Sequence, residues 1–232
     1  MQSARPQIRR LVSALSVVAL VAASSASAAT LVRYEMAELP REQVSFTADF
    51  ISATSLTTHR TTLAFASTHS TNSLGFRPAD GFTQSTVDLA TTLTNGTYVS
   101  FTLTPDEDRA IALESLTFGA YAAGASTRSF YVFSSVTGFD AGDVLLSETY
   151  SATSTGVLPY SISLSSLPGF QHLTEAVEFR IYVQTPATGA SINFSNITVN
   201  GSLSAVPEPS SAALLAGVVS LGLVALRRRS TR

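Results

Sequence analysis

Through the middle of this chain, apolar residues recur at every second position. Val44, Phe46 and Ala48 alternate with polar neighbours, and so do Val99, Phe101 and Leu103, Leu116 and Phe118, Tyr160, Ile162 and Leu164, and Phe179, Ile181 and Val183. A period of two predicts strands with one face buried. Phe130–Phe133 is a continuous apolar run and reads as a strand covered on both faces. Ile192 and Phe194 lie on one phase, Ile197 and Val199 on the other, so a bulge near Ser195-Asn196 is expected to bring all four to one side. Turn signals follow at short intervals: Asn95-Gly96, Pro105-Asp106, Gly138, Gly142, Gly156, Pro168-Gly169 and Gly189. No stretch of this region sustains a helical period over three turns, and Gln171–Ala176 is expected to form one short turn. About ten short strands without intervening helices predict an all-β fold, an antiparallel two-sheet sandwich in the form of a jelly roll.

Both ends depart from that pattern. Arg5, Arg9 and Arg10 precede an apolar run Leu11–Ala23, and small residues follow with an A-x-A site at Ala26-Ser27-Ala28. That is the layout of a signal peptide for general secretion, with cleavage expected after Ala28. At the other end come Val206-Pro207-Glu208-Pro209, an uncharged segment from Ser210 to Leu226, and Arg227-Arg228-Arg229. The 17 residues from Ser210 to Leu226 reach about 25 Å as a helix, a short transmembrane span. The Arg cluster fixes its far end on the cytoplasmic side, and the prolines separate the span from what precedes it. Motif, span and Arg cluster, in this order, resemble the PEP-CTERM tail, which in that family is recognised by a membrane-embedded exosortase. The resemblance implies sorting to the bacterial cell envelope, surface or extracellular matrix by way of an inner-membrane precursor. The expected organisation is a signal peptide at 1–28, a β-sandwich at 29–201, a linker at 202–205 and a sorting signal at 206–232, divided into motif 206–209, helix 210–226 and stop 227–232.

Some of the body resembles a recurring type of PEP-CTERM extracellular domain, in Ile111–Phe118, Ser129–Phe139, Val177–Tyr182 and Phe194–Gly201. Such domains often carry Asp where this chain has Ser195. The resemblance implies a jelly roll akin to carbohydrate-binding modules, without an assigned activity.

Composition narrows the chemistry. The chain has no Cys, which excludes disulfides, thiolate nucleophiles and Cys-based metal sites. Its 14 basic residues are all Arg, and half of them sit in the two end segments. Between Arg33 and Arg180, seven Arg face fifteen acidic residues, a net charge of −8 that argues against a nucleic-acid partner.

Candidate site residues are sparse. His59 and His69 lie ten apart with no carboxylate between them and read as solvent-facing; His172 reads as a loop residue. Asp140 and Asp143, in an oxygen-rich loop between Gly138 and Gly142, are candidate calcium ligands, ahead of Asp106 and Asp108 in the turn after Pro105. Neither loop shows the D-x-[DN]-x-[DN]-G spacing, and the expectation is a chain without a cofactor. Tyr98, Tyr121, Tyr131, Tyr150, Tyr160 and Tyr182 lie in or beside strands and are candidates for a sugar-stacking face; Tyr131 and Tyr182 are expected to face away from the core. No G-x-S-x-G elbow singles out a nucleophile, and no catalytic residue is assigned. Three function classes remain. The leading one is a non-enzymatic envelope or matrix protein associated with exopolysaccharide. A carbohydrate-binding module with a specific site comes second, and a surface hydrolase third.

Overall fold

The computed structural model describes residues 28–36, 40–64, 73–86, 88–124, 126–151, 156–186 and 190–206. Of the signal-cleavage and sorting residues named above, Ala28 and Val206 fall inside these segments. Ala26, Pro207, Glu208, Pro209, the run 210–226 and Arg227–Arg229 lie outside them, as does His69. Among the described residues no helix is long and apolar enough to cross a membrane.

Thirteen strands and one short helix are formed among the described residues. They are β1 (Ala29–Tyr34), β2 (Phe46–Thr47), β3 (Ile51–Ala53), β4 (Thr57–His59), β5 (Thr61–Ala64), β6 (Leu74–Pro78), α1 (Leu89–Asn95), β7 (Tyr98–Pro105), β8 (Arg109–Ala123), β9 (Arg128–Ser134), β10 (Leu146–Tyr150), β11 (Leu158–Ser163), β12 (Val177–Gln184) and β13 (Ser191–Ala205). The first sheet runs β11-β8-β13-β1-β2, with β6 also on β13 and β5 on β6. The second runs β10-β9-β12-β7-β3, with β4 also on β7. Every pairing is antiparallel. From β7 onward the chain changes sheet at every step except the β9–β10 hairpin, the winding of a jelly roll.

The two-residue period is what builds the core. Val99, Phe101 and Leu103 of β7, and Val177, Phe179 and Ile181 of β12, point inward and are fully buried against Leu116, Phe118 and Phe194 of the first sheet. Aromatic rings stitch the layers together. Phe194 lies 5.3 Å from Phe130, 5.7 Å from Phe118 and 5.8 Å from Phe76, centroid to centroid. At the other end Phe101 lies 5.2 Å from Tyr34 and 5.3 Å from Phe179. The phase change along β13 is resolved as its pattern demands. Its register against β8 shifts between Ser195 and Thr198, Asn196 takes a φ of 49°, and Ile192, Phe194, Ile197 and Val199 all enter the core.

Three features differ from the sequence reading. Leu89–Asn95 is helical, capped by Asp88, whose side chain accepts from the Ala90 amide, and ended by Gly96 at φ 63°. The Asn95-Gly96 pair, a hairpin signal in isolation, is thus a helix terminus. Gln171–Ala176 forms no helical turn; Leu173 instead bridges Ile111, with N–H···O distances of 2.9 and 2.8 Å. Residues 202–205, expected as a linker, are the last four residues of β13, paired with β8 through Ala205 opposite Arg109. Their own alternation explains it: Leu203 packs on the core while Ser204 faces out.

Candidate functional site

The outward face of the second sheet carries the densest chemistry. Cross-strand register aligns His59, Tyr98, Tyr182 and Tyr131 in one row over β4, β7, β12 and β9, and Thr57, Ser100, Arg180 and Phe133 in the next. These are the positions that the core-facing phase leaves outward, so one period sets both faces. Half of this face is roofed. Leu89 and Leu93 of α1, with Phe139 and Val144, pack on Tyr131, Phe133 and Tyr182 and bury them. The expected outward orientation of Tyr131 and Tyr182 is what the structure shows, yet the residues packed over them bury both rings.

The other half is open and centres on Arg180. Its guanidinium carbon sits 3.8 Å from the Phe139 ring centroid and 4.8 Å from that of Tyr98. Its Nε and Nη2 each donate to one carboxylate oxygen of Glu178 at 2.9 Å. Both side chains are about one-quarter exposed (25% and 26%). The Glu178 carboxylate holds the guanidinium above its already high ordinary pKa. Tyr98 also stacks on His59 at 4.9 Å, and His59 Nδ1 lies 2.6 Å from the Gly96 carbonyl oxygen. Thr57, Ser100 and Thr102 flank this centre with hydroxyls. A planar cation, a carboxylate, an aromatic ring and flanking hydroxyls together offer both hydrogen-bond donors and acceptors on this face.

The sequence singled out Tyr98 and His59 here but missed Arg180, Glu178 and Phe139. The signal was available in part. Glu178 and Arg180 are two apart in a strand and must share a face, but Phe139 reaches them from a separate loop.

The remaining candidates lie elsewhere. Asp140 and Asp143 share one loop, where the Asp143 carboxylate turns back to accept from the Asp140 amide at 3.0 Å. Gly138, at φ 113°, lies close against that carboxylate, and a side chain there would collide with it. Asp108 pairs with Arg109 at 3.5 Å, and Arg109 covers Phe50 at 4.1 Å. Among the described residues no three His, Asp or Glu are grouped to hold a metal ion. His172 is an exposed loop residue at φ 59°. Tyr150 and Tyr160 share a hydroxyl–hydroxyl hydrogen bond of 2.9 Å, and burial drives the Tyr150 hydroxyl far above the ordinary tyrosine range. Tyr121 is buried, with its hydroxyl 3.1 Å from Ser73 Oγ.

A shallow groove of about 620 Å³ opens on the first sheet, where the β13 bulge meets β8 and β11. Thr117, Gly119, Pro159, Ser195 and Asn196 line it, and Val157 forms one wall. Gly119 makes room for it: a Cβ there would lie 2.5 Å from both Ser195 Oγ and Val157 Cγ1.

At the end of the described residues the Val206 amide donates to the Asp108 carbonyl at 2.9 Å, so the sheet still holds the chain at Val206. Ala28, beside the start of β1, is exposed.

No curated protein matches this sequence. Among solved structures the sandwich is similar to CBM29_1, a family 29 carbohydrate binding module from Piromyces equi, at 13% identity and a TM-score of 0.41, over 76% of this chain and 93% of that one. It is similar also to the K1 cleaved adhesin domain of Lys-gingipain from Porphyromonas gingivalis W83, at 14% identity and a TM-score of 0.29, over 68% and 99%. A third is the carbohydrate-binding module CBM36 in complex with calcium and xylotriose, at 16% and 0.24, over 47% and 73%. At these values the likeness is one of sandwich shape, and neither ligand nor activity transfers with it. The C-terminal segment is matched more specifically, by the family described as the PEP-CTERM protein-sorting motif over residues 205–229. Directly behind its last strand, therefore, the chain carries the PEP-CTERM signal of an exported, surface-sorted protein that an exosortase processes.

Proposed function

We propose that the mature chain is a non-enzymatic protein of the cell envelope or extracellular matrix, associated with surface exopolysaccharide after its tail has been processed. The observation that carries this reading is the sorting motif at 205–229, placed immediately after an all-β body. No cofactor is needed in this reading, because the body acts as a folded polymer-facing surface. The test is an intact mass of the protein recovered from the envelope and medium of its native host. A species that begins near Ala29 and ends near Pro207–Pro209 is expected. A species that retains Ala212–Arg232 would make the tail a plain membrane anchor and remove the main support. Replacing Glu208, or deleting Arg227–Arg229, is expected to leave unprocessed precursor; normal maturation of both variants would sink the sorting reading.

A second reading is favoured by the open half of the second sheet. There Tyr98, Arg180 and Glu178 form a rigid polar and aromatic surface on which a specific glycan is proposed to bind. Saturable binding of surface polysaccharide, lost in Tyr98→Ala and Arg180→Ala variants that keep their strand content, supports it. Binding unchanged in both variants refutes it.

A further inference from the structure

The junction between β13 and the sorting motif has a geometry that bears on processing. After Gly201 the strand has a neighbour on one side only: Ser202 to Ala205 pair with Ala112 to Arg109, and among the described residues no strand pairs with the other edge. The register shifts between Asn200 and Gly201, so this end is set off from the rest of β13 by an irregularity. Gly201 is packed so closely on the Ala112 carbonyl that no side chain fits between them. Beyond it, Leu203 is the partly buried apolar anchor, while Ser204 and Ala205 are exposed. The Val206 amide donates to the Asp108 carbonyl, so the pairing with β8 reaches the last of the described residues.

Chain length then sets the clearance. Between Val206 and Ser210, where the apolar run begins, stand only Pro207, Glu208 and Pro209. Three extended residues span about 10 Å. A membrane-embedded enzyme that must seat Pro-Glu-Pro would have to work in that gap, beneath a folded sandwich. Releasing residues 202–206 gives eight free residues and a leash of about 27 Å.

We infer that the C-terminal end of β13, residues 202–206, is a strap that holds the sorting motif against the sandwich, and that it must peel from β8 before the exosortase can process the tail. This rests on the sorting reading above. The strap ties processing to a local opening of the folded domain: the hinge is the irregularity at Asn200/Gly201, and the elements released are the ladder to Arg109–Ala112 and the Leu203 contact.

The absence of Cys from the chain makes a direct test available. Ser204 and Ala110 are cross-strand partners, so the full-length Ser204→Cys/Ala110→Cys double variant, exported in the native host, can be cross-linked across the strap. Intact mass and pulse-chase follow the precursor. The expected result is loss of the mature species in the cross-linked variant, with each single Cys variant maturing like wild type. Inserting five Gly/Ser residues between Val206 and Pro207 of the cross-linked variant is expected to restore maturation, since it lengthens the leash without opening the strap. Maturation of the cross-linked variant at the wild-type rate overturns the strap and leaves sorting intact. Failure of the insertion to rescue a blocked variant also overturns it, because the block would then stem from disturbed folding. A wild-type chain that is never processed overturns the sorting reading, and the strap with it.

Discussion

Arg180 offers the sharpest test of how the open half of the second sheet is held. Its guanidinium is stacked by Phe139 at 3.8 Å and Tyr98 at 4.8 Å and is gripped edge-on by Glu178 through two 2.9 Å hydrogen bonds. Each ring contact is worth about 0.5–1 kcal/mol at a partly exposed site. The ion pair is about one-quarter exposed, so screening keeps it near the upper end of the surface range, about 1 kcal/mol, with bidentate geometry in its favour. Arg180→Ala should therefore cost about 2 kcal/mol, which for a domain of this size lowers Tm by roughly 4–8 °C. Arg180→Lys keeps the charge but loses the planar fork and the stacking, and should cost about half as much. Urea unfolding of Arg180→Ala, Glu178→Ala and the double variant gives the coupling directly, at about 0.5–1 kcal/mol. A second cycle with Phe139→Ala isolates the ring contribution. If Arg180→Ala unfolds within about 0.5 kcal/mol of wild type and neither cycle shows coupling, the stacked arrangement has no energetic content and the rigid-face argument fails.

Three further outcomes are expected. Phe194→Ala, at the meeting point of Phe76, Phe118 and Phe130, should cost about 4 kcal/mol in urea unfolding, whereas Phe46→Ala, at a side chain 40% exposed, should cost under about 0.5 kcal/mol; equal effects would refute the placement of the core. Arg128 is fully buried, and its guanidinium donates to the carbonyls of Ala123, Gly124 and Ser126 across the β8–β9 turn. Arg128→Met removes these buried donors and should cost about 3 kcal/mol, measured by the same unfolding assay, and a neutral result would mean that water replaces the guanidinium. In alkaline solution, burial raises the Tyr34 and Tyr150 hydroxyls above the range they take in the unfolded chain. Their contribution is therefore complete below the ordinary tyrosine pKa and is lost as pH climbs above it. Absorbance titration should show these two ionising only with unfolding, and a simple titration of all seven tyrosines in the folded state would contradict the burial.

The strands were legible because their chemistry is local. The β13 bulge is the clearest case: two pairs of apolar residues on opposite phases require one extra residue between them, and the shift falls between Ser195 and Thr198. The helix was not legible, because LATTLTN supplies one turn with an apolar pair at Leu89 and Leu93 and no longer period. What holds it is Asp88 at one end, Gly96 at the other and the aromatic patch beneath, and that patch exists only after β9 and β12 pair. Arg180 was hidden for the same reason. Its partners Tyr98, Glu178 and Phe139 come from three segments of sequence. The end of β13 was misread because small residues between a Gly and a Pro look like a linker, while the hydrogen-bonding partner that makes them a strand is almost a hundred residues away, with Ser204 opposite Ala110.

The position of β13 also governs the order in which the protein is completed. The last strand among the described residues, β13, lies inside the first sheet, with β8 on one side and β1 and β6 on the other. Ala29, the first residue of β1, is matched to Gly201. During export the N-terminal strand emerges first; β2 can pair with one of its edges early, but the edge that takes β13 stays empty until the end of the chain arrives. Closing so long a loop is entropically slow, and the core seam of Phe76, Phe118, Phe130 and Phe194 cannot form without residue 194. The sandwich therefore matures only after the chain has crossed almost to its sorting motif. A chain interrupted before Ser191 leaves an open sheet edge where the completed protein has an interior strand.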